Sequence, residues 1–222
     1  MFFNPGTVPR SYMDVYYIPT VFFTLFFVVD PLGLIPVFLV YLAGYRDHKR
    51  KRIIIRSIVI SIAVSVFFIL LGRYLLGFLG ISTGSFLVAG GILLFIISME
   101  MLLGQPSRVK MRDIGDHNQP EEERDVSVFP LAIPMLCGPG NIAALVMFST
   151  QASDDPLKLL VITGLSIAVF LLAMVVMFLS AYISNALGST GISIFQKLMG
   201  LILSAMSVQF IRNGLFELGI IR

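Results

Sequence analysis

Two short stretches hold the residue types that could do chemistry in this chain. The first is Asp30-Pro31-Leu32-Gly33-Leu34, inside the apolar run from Val28 to Phe38. The second is Gly138-Pro139-Gly140-Asn141-Ile142, preceded by Leu136-Cys137 and, a turn earlier, by Pro134. Proline removes a backbone donor and clashes with the preceding turn. An acid in hydrocarbon costs roughly 2.5 to 3.5 kcal/mol on insertion scales. Residues of these types within greasy segments fit a helix that is meant to break. Asp30 followed by Pro31 suits the start of a half-helix, with an aspartate N-cap and proline at the first helical position. Pro139, with Gly138 before it, suits a second start. Such starts leave N–H groups without intrahelical partners, here from Leu32 to Leu34 and from Gly140 to Ile142, at the positive end of the helix dipole. They suit an anion such as a substrate carboxylate. Glycine at Gly33, Gly138 and Gly140 lets a ligand approach the backbone, and Asn141 adds an amide that donates and accepts. For Asp30 three roles stand open: facing a substrate ammonium, carrying a coupling proton or sodium ion, or capping its own helix.

The elements that must position these residues are membrane helices. The chain has 222 residues, 57% hydrophobic and 13% charged, with a mean hydropathy of +0.91, against about 25% charged residues in soluble domains. A helix needs about 20 apolar residues to cross a bilayer. Six segments qualify: Val15 to Ala43, Ile53 to Leu71, Gly80 to Leu103, Val126 to Thr150, Leu157 to Ile183 and Ile192 to Leu215. In the sixth, Lys197 and Arg212 must snorkel to the interfaces. All seven tyrosines fall near span ends, as expected of an interfacial belt. With the N-terminus outside, 11 lysines and arginines lie on the inner side and 5 on the outer, which places both termini outside. The basic run Arg46 to Arg52 reads as part of that signal, ahead of an anionic-lipid site. The net charge of +3 is small and sits in loops, so nucleic acid is not an expected partner. Met1 to Asp14 lacks the pattern of a cleavable signal peptide. The single cysteine, Cys137, reads as a small buried apolar residue.

A duplication runs through the chain. Pro31 and Pro139 are 108 residues apart, and Gly91-Ile92-Leu93-Leu94 through Ser98 and Glu100 aligns with Gly200-Leu201-Ile202-Leu203 through Ser207 and Gln209 at an offset of 109. Each unit holds three spans, an odd number, so the two copies must run through the membrane in opposite directions. The expected fold is an all-α integral membrane protein of six transmembrane helices in two inverted three-helix repeats, residues 15–103 and 126–215, joined by a cytoplasmic linker at 104–125. The first helix of each repeat breaks at the bilayer midplane. The linker acids Asp113, Asp116, Glu121, Glu122 and Glu123 lie near His117, but their spacing matches no metal-ligand pattern. No metal or cofactor is expected. His48 and His117 both fall in loops, so a membrane-embedded enzyme is not expected either.

The stretch Phe26 to Leu39 around Asp30-Pro31-Leu32-Gly33 and Pro36, then Gly90-Gly91-Ile92-Leu93-Leu94, Pro130-Leu131-Ala132-Ile133-Pro134 leading to Gly138-Pro139-Gly140, and Met199-Gly200-Leu201 together resemble the MarC/SnatA family. The likeness covers nearly the whole chain except the termini and linker. It implies a prokaryotic six-span inner-membrane protein, with transport of small neutral amino acids described for some members and a multiple-antibiotic-resistance locus giving others their name. Many relatives carry Asn at the first break, where this chain has Asp30. Many also follow Gly-Pro-Gly with Ala-Ile and a hydroxyl residue, where this chain has Asn141-Ile142-Ala143-Ala144. The expectation is a secondary transporter for small zwitterions, with a small-molecule substrate and the lipid bilayer as partners, Asp30 a candidate for the coupling Na+ or H+, and self-association left open. The alternatives are a carrier or flippase for an anionic lipid or phosphate-containing solute, and a structural or regulatory subunit without transport.

Overall fold

The computed structural model describes residues 10–42, 44–104, 126–152 and 155–221. The linker with its acids and His117, and the extreme N-terminus read for a signal peptide, lie outside the described residues. All regular structure among those described is helical: α1 Arg10–Val29, α2 Ile35–Leu42, α3 Asp47–Phe78, α4 Thr83–Leu102, α5 Ser127–Leu136, α6 Pro139–Gln151, and a final segment Pro156–Glu217. Gly188, at φ 63°, divides that segment into α7 Pro156–Gly188 and α8 Thr190–Glu217.

Local chemistry sets where the helices begin. Ser82 caps α4, its hydroxyl accepting the Ser85 N–H at 3.1 Å. Asp155 caps α7, its Oδ1 accepting the N–H groups of Leu157 at 3.0 Å and Lys158 at 3.3 Å, with Pro156 at the first position. In α5, Pro130 and Pro134 supply no N–H, and the Leu131 and Cys137 amides reach five residues back, to Val126 and Ala132 at 3.3 and 2.9 Å. Both prolyl bonds in α5 are cis.

Four helices, α3, α4, α7 and α8, are long and apolar enough to cross a membrane, and α5 with α6 form a fifth, bent by 58°. The protein is therefore an all-helical membrane protein with four to five such spans among the described residues. The sequence placed another across Val15 to Ala43. There the structure has two shorter helices, because the turn at 31–34 separates α1 from α2.

The principal partner of α4 is the α7–α8 segment. The contact with α8 is nearly bare backbone. A Cβ on Gly91 would lie 2.9 Å from the Ser207 carbonyl oxygen, one on Gly200 would lie 3.1 Å from that of Ser98, and one on Gly214 would lie 2.6 Å from that of Gly84. The order of these contacts makes α4 and α8 antiparallel. Small residues permit such approach, and in lipid it supplies packing that the hydrophobic effect cannot. On α3, the Arg50 guanidinium donates to the Ser180 hydroxyl at 3.1 Å and ties α3 to α7.

Gly214→Val is expected to lower the thermal transition of the detergent-solubilised protein by the equivalent of about 1 to 3 kcal/mol, the usual range for overpacking. Gly164, around which a Cβ meets nothing within 4 Å, is the control: Gly164→Ala should leave the transition unchanged or raise it.

Candidate functional site

At the first break, α1 ends as the Asp30 N–H donates to the Phe26 carbonyl at 3.0 Å. Asp30 then turns left-handed, at φ 49°, the only described non-glycine residue with positive φ. Aspartate is one of the few side chains that tolerates this region, because its short polar group can bond locally. It does so here: Asp30 Oδ1 accepts the Gly33 N–H at 3.1 Å, and the Asp30 carbonyl accepts the Leu34 N–H at 3.2 Å. The half-helix expected to start at Pro31 therefore begins four residues later, at Ile35. Two of the three amides offered to an anion, Gly33 and Leu34, are already occupied by Asp30 itself.

Gly33 has no room for a side chain. A Cβ there would collide with Asp30 Oδ2 and lie 2.6 Å from the Met101 methyl. From α8, the Gln196 amide donates to the Gly33 carbonyl at 3.4 Å, so the turn is held to the helix crossing it.

The second break is built differently. Gly138 is the N-cap of α6 with extended backbone, Pro139 follows at the first position, and no side chain caps the end. The Ile142 amide donates to the Gly138 carbonyl at 3.0 Å. Gly140 and Asn141 stand in the first turn, where amides have no intrahelical acceptor. A Cβ on Gly138 would sit 2.6 Å from the Pro134 carbonyl oxygen, and one on Gly140 would collide with Leu94.

The two breaks meet at a cavity of about 40 Å³, room for about three waters at roughly 10 to 15 Å³ each. Asp30, Gly138, Pro139, Gly140 and Asn141 line it, with Leu94 of α4 and Leu203 of α8 among the apolar walls. Of the other residues singled out in the sequence, Pro31, Leu32, Gly33 and Leu34 form the adjoining turn, and Ile142 continues α6; none of these five lines the cavity. Asp30 is 4% exposed and Asn141 2%. Asp30 thus bonds within its own turn and also borders the cavity. The sequence did not point to Leu94, Leu203, Met101 or Gln196 as neighbours of the breaks. Leu94 and Leu203 stand 109 residues apart, the offset seen in the sequence, which was the one signal that could have found them.

The arrangement is that of a multi-pass membrane protein with a small, largely apolar pocket, bordered by Asp30 and Asn141, where two interrupted helices meet. The MarC family integral membrane protein description matches residues 15–218. The chain is 33% identical over 204 residues to the UPF0056 membrane protein MJ1677 of Methanocaldococcus jannaschii, covering 91% of this chain and 98% of that one. It is 34% identical over 199 residues to the UPF0056 membrane protein YvbG of Bacillus subtilis, covering 90% and 94%. It is 35% identical over 199 residues to a UPF0056 membrane protein of Archaeoglobus fulgidus, covering 88% and 91%. No solved structure matches it significantly. The chain belongs to the MarC family.

The collision at Gly140 gives a test of the site's packing. Gly140→Ala is expected to lower the thermal transition by the equivalent of about 1 to 3 kcal/mol, and adding Leu94→Ala should restore part of it. Equal or additive loss in the double variant would show that Leu94 does not set the position of α6.

Proposed function

We propose that this protein is a secondary transporter for small neutral amino acids or similar small zwitterions, which bind near the bilayer midplane in the cavity between the two breaks. The observation that carries this reading is the polarity of the cavity wall. One side is the Asp30 carboxylate; another is the uncapped N-terminus of α6, where free amides and the helix dipole favour negative charge. A buried site with one anionic pole and one amide-rich pole suits a solute that carries both an ammonium and a carboxylate. Asp30 would take the ammonium or a coupling Na+ or H+, and the Gly140 and Asn141 amides the carboxylate.

The frame for this function is a pair of inverted three-helix repeats, α1 to α4 and α5 to α8, within a six-span architecture. The α4–α8 contact supports it. At the repeat offset of 109, Gly91 maps onto Gly200 and Ser98 onto Ser207, so the contact of Gly91 with Ser207 and that of Gly200 with Ser98 are the same contact seen from each half. Reciprocal contacts of this kind are what a two-fold axis produces. Leu94 and Leu203, also mates at this offset, both line the cavity, as expected of a site on that axis. Transport would proceed by movement of one repeat against the other. The proposed setting is the plasma membrane with both termini outside, following the lysine and arginine bias. No enzymatic step and no nucleic acid enters this reading.

Counterflow of labelled alanine in proteoliposomes tests it. The parent should exchange alanine, and Asp30→Asn and Gly140→Leu should each reduce exchange by roughly tenfold or more. Undiminished exchange in both variants would remove the site assignment. Absence of alanine, glycine and serine exchange by a folded preparation would remove the substrate class.

A further inference from the structure

Behind Asn141, away from the cavity, lies a buried polar contact that the transport reading does not use. The Asn141 Nδ2 donates to the Cys137 Sγ at 3.7 Å, and that sulfur is 3.5 Å from the Ser65 hydroxyl of α3. Cys137 is 1% exposed, and its own amide donates to the Ala132 carbonyl at 2.9 Å, so the thiol is fixed from the backbone as well. Ser65 is the last of three buried serines spaced four apart on one face of α3. The hydroxyls of Ser57 and Ser61 bond one turn back, to the carbonyls of Ile53 and Ser57, both at 2.9 Å. Ser61 also donates to the Ala132 carbonyl of α5 at 3.5 Å, and Ser65 reaches across to the second break.

An asparagine amide has two ends of opposite character, two donors on nitrogen and an acceptor on oxygen. With Nδ2 turned to the sulfur, Oδ1 is the end left over. It takes no hydrogen bond from the described residues, and the side chain borders the cavity. We propose that the Cys137 thiol gives its proton to the Ser65 hydroxyl and so accepts from Asn141 Nδ2, and that these two positioning residues thereby hold the amide in this orientation, so that a ligand meets Oδ1 in the cavity that Asp30 also lines. This makes the pocket select a protonated amine over hydroxyl or keto analogues. The inference rests on the zwitterion reading above and adds the basis of its selectivity. An ammonium brings three donors to two acceptor groups; a hydroxyl brings one and a ketone none. Sites built to hydrogen-bond a polar group reject analogues that lack it.

Two measurements test this on the full chain in lipid nanodiscs. The protein has one cysteine, so the infrared S–H stretching band reports Cys137 alone, with no substrate present. The band should shift in Ser65→Ala and in Asn141→Leu; an unmoved band in both overturns the contact. The second measurement is binding of L-alanine against L-lactate, which differ by amine for hydroxyl. Cys137→Ala should weaken alanine binding about tenfold while lactate binding stays within about twofold, and Cys137→Ser, which keeps a donor and acceptor, should retain the parent's preference. A merely structural role for Cys137 predicts equal weakening of both ligands, or the same loss in Cys137→Ser, and either result overturns the proposal. A parent that binds neither ligand although the band shifts overturns the zwitterion reading and the selectivity drawn from it, leaving the sulfur contact in place.

Discussion

Main-chain polar groups buried among apolar side chains have no water to fall back on, and each one left unbonded costs on the order of 1 to 3 kcal/mol or more. The way this protein meets that constraint at its first break governs the surroundings. Asp30 closes α1 with its own N–H, turns left-handed, and then satisfies the next turn twice, with its carboxylate on Gly33 and its carbonyl on Leu34. The Leu32 carbonyl accepts the Ile35 N–H, and the Gly33 carbonyl is met by Gln196 from α8. The turn is thereby almost self-contained. Such closeness of carboxylate to backbone leaves no space for a Cβ at Gly33, so the acid and the glycine are one structural unit.

The second break solves the same problem without an acid. Its prolines remove donors instead of bonding them, and the Leu131 and Cys137 amides reach five residues back. Gly138, which has no side chain, leaves the start of α6 uncapped. The outcome is an asymmetry between the two breaks. One has a carboxyl group that takes up an amide of its own turn, and the other has a helix start with no side-chain cap. Where both border one cavity, that difference becomes the polarity of the cavity.

The positions of these breaks could be read in the sequence because proline, glycine and aspartate conflict so plainly with an apolar helix. Asp30 and Gly138 to Asn141 were found that way. The local path of the first break could not be. Asp30-Pro31 reads as a helix start, but the left-handed turn at Asp30 uses up the amides that such a start would expose, and α2 begins only at Ile35. The surrounding wall was also hidden. Leu94 and Leu203 are ordinary residues of apolar helices, Ser65 is one hydroxyl in a serine stripe, and Gln196 stands beside a lysine near a span end. Nothing in their type marks them until the helices are packed. The helices themselves were well placed by hydropathy, apart from α1 and α2, where the turn divides one long apolar run into two shorter elements.

Glycine explains why the cavity is small. Gly90 meets the Ala143 methyl of α6, a Cβ on Gly72 of α3 would lie 2.7 Å from Val146, and Gly140 takes up the side chain of Leu94. Each brings α6 closer to the helices around it than any larger residue would allow. Leu94 therefore presses on the start of α6 while lining the cavity, and a longer side chain on either element would enter the same space. The site's capacity is set less by the polar groups that give it character than by how closely three helices can approach through residues with no side chain. Small size is then a property of the helix packing itself, and any solute that fits must be small before its charges matter.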